Sequence, residues 1–252
     1  MDGTTPICDG HNHPISANFF AQSSFATYAI ATERNAVKLP KDVPLELMGP
    51  LGCGIQTGAG PVLNCLKPKA GASIAVFGAG AVGLAAVMAA KVARCGTIII
   101  VDLNPSRLEL AKELGATHAI NAKTEDAVAR IREITKGGVN YSLECTSVPK
   151  VFRQAVDCLG IPGTCGLIGS TPIGTEASID IGSFLFGRTV FGVVEGQSIP
   201  SQFIPELIEL WKRGVFPFDR LVKFYELDQI NQAMEESEKG RVIKPTLKMA
   251  KR

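Results

Sequence analysis

The sequence has no CxxC pair, and its seven cysteines, at positions 8, 53, 65, 95, 145, 158 and 165, are scattered and odd in number. That pattern excludes the disulfide framework of small secreted domains and points to a reducing compartment, the cytoplasm. Cys145 and Cys165 fall in apolar runs and read as small buried hydrophobes. No apolar run approaches the roughly 20 residues that span a bilayer, which excludes a membrane-embedded class. The opening MDGTTPICDGHNHP lacks the charged-then-apolar pattern of a secretory signal. Charge of one sign is also missing: the formal net charge is +2 over 252 residues, with the basic residues dispersed. A nucleic-acid binder would concentrate its basic residues on one face, so nucleic acid is not an expected partner. There is no internal repeat and no low-complexity tract. Hydrophobic residues make up 46% of the chain, ample for a buried core.

Against those absences, Ala72 to Asp102 stands out, reading ASIAVFGAGAVGLAAVMAAKVARCGTIIIVD. An apolar run from Ile74 to Phe77 predicts a buried strand, and a glycine turn follows it. An Ala-rich helix runs on to about Arg94, and a second strand, Ile98 to Val101, ends on Asp102. Strand, glycine turn, helix, strand and terminal acid form the fingerprint of a dinucleotide-binding βαβ unit. Gly78 turns the chain sharply out of the strand, and Gly80 leaves room for a pyrophosphate. Gly83 lets the helix pack closely on the sheet. The helix N-terminus, with unpaired N–H groups, then faces the phosphates. Asp102 can accept hydrogen bonds from an adenosine ribose and would repel a 2′-phosphate, which favours NAD.

Downstream the alternation continues. Helices are expected from Pro105 (capped by Asn104) to Gly115, from Thr124 to Gly137, and from Pro149 to about Leu159. Strands are expected over Thr117–Ile120, Val139–Thr146, Gly163–Ser170 and Thr189–Val194. Six strands alternating with helices predict an α/β fold with a doubly wound parallel sheet. Its crevice would be rimmed by Thr146, Ile168–Ser170 and Val193–Val194. Phe203, Ile204, Leu207, Ile208 and Trp211 form the core stripe of a helix over 201–213. A second helix is expected over Leu227–Lys239 and a last strand over Val242–Met249. Glu235, Glu236 and Glu238 read as a solvated face.

Upstream, Phe19 to Ala31 reads as a strand and Leu45 to Gly49 as a short helix, followed by a helix to Leu66. Cys8, His11 and His13 form a metal-like cluster in a polar segment, but the favoured reading is a segment holding incidental His and Cys, since zinc sites normally need four well-spaced ligands. Cys53 sits between glycines just before a helix start. Two readings stay open there: a thiol lowered in pKa by the helix N-terminus, able to bind metal or attack electrophiles, or a small packed cysteine.

The stretches FFAQSSFATYA, GPLGCGIQTGAG, GAGAVGL, SRLELAKELGATHAIN, GVVEG and FPFDRLVKFYELDQINQA, from about Phe19 to Met249, resemble the zinc-containing medium-chain alcohol dehydrogenases. Within them the chain is most similar to the aryl (benzyl) alcohol dehydrogenases. The resemblance implies a Rossmann domain over 55–194 and a partial GroES-like, mostly β substrate domain over 1–54 and 195–252. It makes Cys53 a ligand of a catalytic zinc. Thr57 would lie beside the nicotinamide and Val82 against its ring. Asp102 and Arg107 would meet the adenosine ribose, Ile168 and Gly169 the carboxamide, and Lys244 the pyrophosphate. The implied reaction is hydride transfer between a primary alcohol or aldehyde and NAD, in a homo-oligomer. The resemblance also implies an N-terminally truncated chain, since the family's other two catalytic zinc ligands, its proton relay and its structural-zinc lobe have no counterpart here. Zinc is therefore not expected to be retained, and a catalytically inactive NAD-binding module is the alternative. A zinc-free relative of the quinone reductase kind fits less well, because Cys53 has the zinc-type context.

Overall fold

The computed structural model describes residues 8–14, 29 and 31–249. The strand expected over Phe19–Ala31, with Phe19, Phe20 and Phe25, lies outside the described residues except for its last positions. The first regular helices are α1 (Leu45–Met48) and α2 (Gly54–Gly60), the latter continued by a π-helical stretch over Pro61–Leu66. Pro61 has no N–H to donate, and from there the ladder slips one residue, so that Lys67 N–H reaches Val62 O at 2.9 Å. Lys67, left-handed at φ 45°, ends the helix where the sequence placed its stop.

The fingerprint then folds as read: β1 (Ser73–Phe77), α3 (Ala81–Val92) and β2 (Thr97–Asp102). It is followed by α4 (Pro105–Leu114), β3 (His118–Asn121), α5 (Ala127–Thr135), β4 (Val139–Glu144), α6 (Pro149–Asp157), β5 (Leu159–Leu167) and β6 (Arg188–Gly192). Local chemistry sets the helix starts. Asn104 Oδ1 accepts from Ser106 N–H at 3.0 Å with Pro105 in the first turn, and Asp126 Oδ1 accepts from Ala129 N–H at 3.0 Å. The fifth strand lies about four residues earlier than expected, because Leu159 and Gly163 pair with Val139 and Arg188 while Ile168 to Ser170 already form the loop beyond.

The six strands are parallel in the order β3-β2-β1-β4-β5-β6, the doubly wound Rossmann arrangement with its switch between β1 and β4. Alternation along β1 divides the core. Ile74 and Val76 face a cluster with Ile98, Ile100 and Leu143, under helices α3, α4 and α7 (Pro200–Lys212). Ala75 and Phe77 face Ile99, Val101 and Ile131 on the opposite side, under α5 and α6. Phe203, Ile204, Leu207 and Ile208 of α7 are buried in the first cluster with Leu51 and Ile55, as their spacing predicted. Among the described residues no helix is long and apolar enough to cross a membrane.

After α7 the chain adds a small unit: β7 (Val222–Glu226), α8 (Ile230–Glu238) and β8 (Lys244–Lys248), with β7 and β8 paired parallel. The strand β7 is not legible as such beside FPFDR, since its five residues VKFYE carry charges at two positions. The acidic face also needs correction. Glu236 is not simply solvated: its carboxylate accepts from Lys223 Nζ at 2.7 Å, Tyr225 OH at 2.6 Å and Gln232 Nε2 at 3.0 Å, tying α8 to β7. These partners, Lys223 foremost, hold its pKa at about 2, below the ordinary 4.5.

Because the folded pKa is depressed, this stabilisation is complete above about pH 4.5 and is lost as pH falls toward 2. Glu236→Gln should lower the melting temperature at pH 7 and flatten its decline across that acid window. Parallel melting profiles for the two proteins between pH 4.5 and 2 would show that the network contributes nothing.

Candidate functional site

The crevice begins at the end of β1. Gly78 adopts φ +101°, and its N–H donates to Val101 O at 2.8 Å, which starts the turn. A Cβ on Gly83 would lie 1.7 Å from Gly78 O, so only glycine lets α3 sit against the turn. Gly80 differs: a Cβ there would meet nothing within 4 Å, and no side chain caps the helix it begins. The first turn of α3 thus presents backbone N–H groups to open space, the arrangement that receives a phosphate.

Asp102, at the tip of β2, accepts from Ala79 N–H at 2.6 Å and from Asn104 N–H at 2.8 Å. Both contacts fix the carboxylate at the mouth of a cleft of about 500 Å³, whose lining includes Gly78, Asp102, Arg107, Thr146, Gln154 and Gly240. Among the described residues Arg107 Nε is buried without a hydrogen-bond partner, and a Cβ on Gly240, at φ +69°, would stand 3.5 Å from Arg107 Nη2. The loop after α8 therefore roofs the guanidinium.

On the other side of the switch, the buried Glu144 organises the ends of β4 and β5. Its Oε1 accepts from both the N–H and the hydroxyl of Thr146, and its backbone carbonyl accepts from Ile168 N–H and Gly169 N–H, each at 3.0 Å. A Cβ on Gly169 would lie 2.4 Å from Glu144 Oε2 and 2.5 Å from Ser147 N, so glycine is required there. Ile168, Gly169 and Thr146 come together at the carboxyl edge of the sheet, as expected for the crevice rim. Cys165 is fully buried and pushed up to about 12 by desolvation, an inert packed thiol, whereas Cys145 is only partly covered.

The third group comes from outside the six strands. Helix α2 crosses α3 in backbone contact, because a Cβ on Gly58 would lie 2.0 Å from Val82 O. This sets Gly54 and Gly58, the neighbours of Cys53 and Thr57, against Val82. Lys244, from β8, arrives at the same corner, its Nζ 3.7 Å from where a Gly54 Cβ would be. Of the two readings left open for Cys53, the lowered thiol pKa is not what the structure shows. Desolvation and then Glu195 push it up, and Lys244 opposes them. The thiol-to-carboxylate distance, Sγ to Oε1, is 3.9 Å.

Glu195 is the site residue that sequence reasoning missed. Its Oε2 accepts from Gln56 Nε2 at 3.1 Å and Thr57 Oγ1 at 3.2 Å. Glu195, Gly196 and Gln197 are all left-handed, at φ 48°, 68° and 45°. Such backbone is costly for the two non-glycine residues and persists only where packing over-determines it. Here a Gly60 Cβ would lie 2.3 Å from Gly196 O, and Asn64 Nδ2 donates to that carbonyl at 3.3 Å. The available signal was an acid directly before a glycine at the carboxyl end of the sixth strand. Cys8, His11 and His13 do not gather round a metal. Asp9 accepts from His11 N–H and His13 N–H and closes them into a turn. Among the described residues no three His, Cys, Asp or Glu side chains could hold a metal ion together.

The family profile described as zinc-binding dehydrogenase matches residues 81–213. A geraniol dehydrogenase from Castellaniella defragrans is 43% identical over 243 residues, an alignment covering 96% of this chain and 65% of that protein. An S-(hydroxymethyl)glutathione dehydrogenase from a Synechocystis species is 35% identical, over 98% of this chain and 67% of its own. Among solved structures, a benzyl alcohol dehydrogenase from Acinetobacter calcoaceticus superposes with a TM-score of 0.92 at 54% identity, covering 96% of this chain and 68% of that one. An alcohol dehydrogenase zinc-binding domain protein from Burkholderia ambifaria gives 0.94 at 57%, covering 99% and 68%. The chain thus spans about two thirds of the length of the proteins it matches.

The two glycines of the turn should respond differently to alanine. Gly83→Ala drives a methyl into a backbone carbonyl and should cost more than about 2 kcal/mol in a denaturant titration. Gly80→Ala, at φ −81° with open space around it, should leave stability nearly unchanged while weakening dinucleotide binding. Equal stabilities for the two variants would contradict this division of roles.

Proposed function

Because the chain belongs to the zinc-binding dehydrogenase family, we propose that it supplies the NAD-binding half of an alcohol dehydrogenase. The reaction is hydride transfer between a primary, aryl-type alcohol or its aldehyde and nicotinamide, in the cytoplasm. The observation that carries this reading is the join of Asp102, the Gly78–Gly83 turn and the uncapped start of α3 around one cleft. NAD fits those residues: Asp102 and Arg107 for the ribose, the α3 N-terminus and Lys244 for the pyrophosphate, Thr57, Val82, Ile168 and Gly169 for the nicotinamide end. When bound, the cofactor supplies the hydride acceptor. The chain's own residues orient it, and Asp102 excludes a 2′-phosphate by charge. Residues 55–194 form the nucleotide domain in this scheme, with 1–54 and 195–252 belonging to the substrate domain.

Zinc does not fit the described residues in the same way. A catalytic zinc needs three protein ligands and an open position, and Cys53 has only Glu195 beside it. No step is therefore assigned to the metal, and Cys53 is proposed as one ligand of a site this chain does not complete. That observation favours a second reading, in which the chain binds NAD without chemistry of its own. Association with a second copy is proposed through β6, an edge strand with Ile181, Leu185 and Phe186 exposed nearby.

Three measurements test these readings. Asp102→Asn should weaken NAD binding about tenfold and narrow the preference for NAD over NADP, the loss expected when a charged hydrogen-bond acceptor is neutralised. An unchanged ratio of the two dissociation constants would remove Asp102 from the ribose. The 252-residue chain should bind NAD yet oxidise benzyl alcohol poorly. Stoichiometric zinc by metal analysis with brisk turnover would overturn the incomplete site. Light scattering should report a dimer or larger species, and a stable monomer would count against the β6 interface.

A further inference from the structure

The carboxylate of Glu195 has no role in the proposed binding of NAD, yet the fold holds it with care. Its hydrogen-bond partners are all neutral: the Gln56 amide, the Thr57 hydroxyl and, more distantly, the Cys53 thiol. Gln56 is 2% exposed, and its amide orientation is forced because its oxygen accepts from Ser198 Oγ at 2.9 Å. The single Ser198 hydroxyl proton is shared between that oxygen and the Glu195 backbone carbonyl, 2.7 Å away. Among the described residues no lysine, arginine or histidine forms an ion pair with Glu195, although the chain's other ion pairs are numerous. The nearest cation at this corner is Lys244, which stands at the start of α2, on the Gly54 side. Glu195 is thus a fixed acid without a counter-ion.

Its place in the sheet says what that charge faces. In a doubly wound sheet the two nucleotide halves lie across the switch point, over the carboxyl ends of the two strand triplets. The Asp102 cleft occupies the half built on β1, β2 and β3. The second half, over β4, β5 and β6, receives the other nucleotide, and Glu195 follows the end of β6 by three residues. Its bond to Thr57 ties the carboxylate to α2, the helix whose Gly58 packs against the Val82 carbonyl at the start of α3.

We propose that Glu195 makes this site discriminate cofactor by oxidation state, binding the cationic nicotinamide ring of NAD+ in preference to the neutral ring of NADH. The inference rests on the NAD-binding reading above. The two forms share the same pyrophosphate and adenosine, so Asp102, the α3 N-terminus and Lys244 act on both alike. They differ by one positive charge on the ring, and a fixed, uncompensated carboxylate in a partly desolvated corner acts on that difference alone. The result is a site that loads oxidised cofactor and releases reduced cofactor, the order that alcohol oxidation requires.

The test needs only binding measurements on the chain as it stands. Dissociation constants for NAD+ (by calorimetry) and NADH (by nicotinamide fluorescence) are compared for the unaltered chain, Glu195→Gln and Lys244→Ala. Glu195→Gln keeps the size and an acceptor oxygen but removes the charge. It should weaken NAD+ roughly tenfold while leaving NADH nearly unchanged, as expected for loss of one charge–charge interaction near a protein surface. Lys244→Ala should weaken both forms by the same factor. Equal losses for both forms in Glu195→Gln would reveal a merely structural loop residue and overturn the proposal, as would no change in either. Failure of the unaltered chain to bind either form would instead overturn the NAD-binding reading, and this inference with it.

Discussion

The backbone contact between α2 and α3 is the constraint on which the site depends. At Gly58 a single added carbon would lie 2.0 Å from Val82 O, and at Gly60 another would lie 2.3 Å from Gly196 O. Helices that approach so closely cannot slide or tilt without a clash between main-chain atoms, which have no rotamer by which to escape. Everything carried on α2, namely Cys53, Gln56 and Thr57, is thereby registered against the helix that opens at the glycine turn. The same contact pins the left-handed Glu195–Gln197 segment, because Gly60 and Gly196 occupy one another's side-chain space.

Electrostatics divides along the same line. On the β1–β3 side Asp102 is an acid whose two oxygens are already engaged by backbone N–H groups, so its charge is local and its geometry rigid. On the β4–β6 side Glu144 gives one oxygen to Thr146 and shapes the strand ends, while among the described residues its buried Oε2 has no hydrogen-bond partner. Glu195 differs in being held by side chains of another element, Gln56 and Thr57 of α2, and after desolvation it is the main group raising the Cys53 thiol. Lys244 enters from β8, more than 180 residues along the chain from Cys53, and stands on the Gly54 side, where it opposes the rise of the Cys53 thiol without pairing with Glu195.

The nucleotide fold was legible because its determinants are local. Apolar runs, the Asn104 and Asp126 caps, Gly115 and the Gly78–Gly83 turn each act within a few residues, so strand order followed from alternation alone. Where the determinants were not local, reading failed. The strand β7 was hidden because its partner β8 lies about twenty residues on, and its charged positions looked like surface loop. Glu236 was taken for a solvated acid because nothing near it in sequence shows Lys223 and Tyr225 across the helix. The fifth strand shifted because its register is set by Val139 and Arg188, not by its own glycines.

The site shows the same division. Gly78, Gly80, Gly83 and Asp102 could be assigned from the sequence, since their spacing is the geometry of one βαβ unit. Cys53 was singled out by its glycine-flanked place before a helix but left open between two readings, Thr57 and Lys244 were reached only through resemblance to a family, and Glu195 was not reached at all. By itself, then, the sequence determined a doubly wound sheet with a dinucleotide turn, because those features arise from short-range backbone chemistry. Only the tertiary structure decided that Cys53 faces an acid, that its thiol is raised, and that a strained loop aims Glu195 into the corner. Those outcomes depend on glycine-to-glycine contacts between segments 136 residues apart, Gly60 and Gly196, which no local pattern encodes.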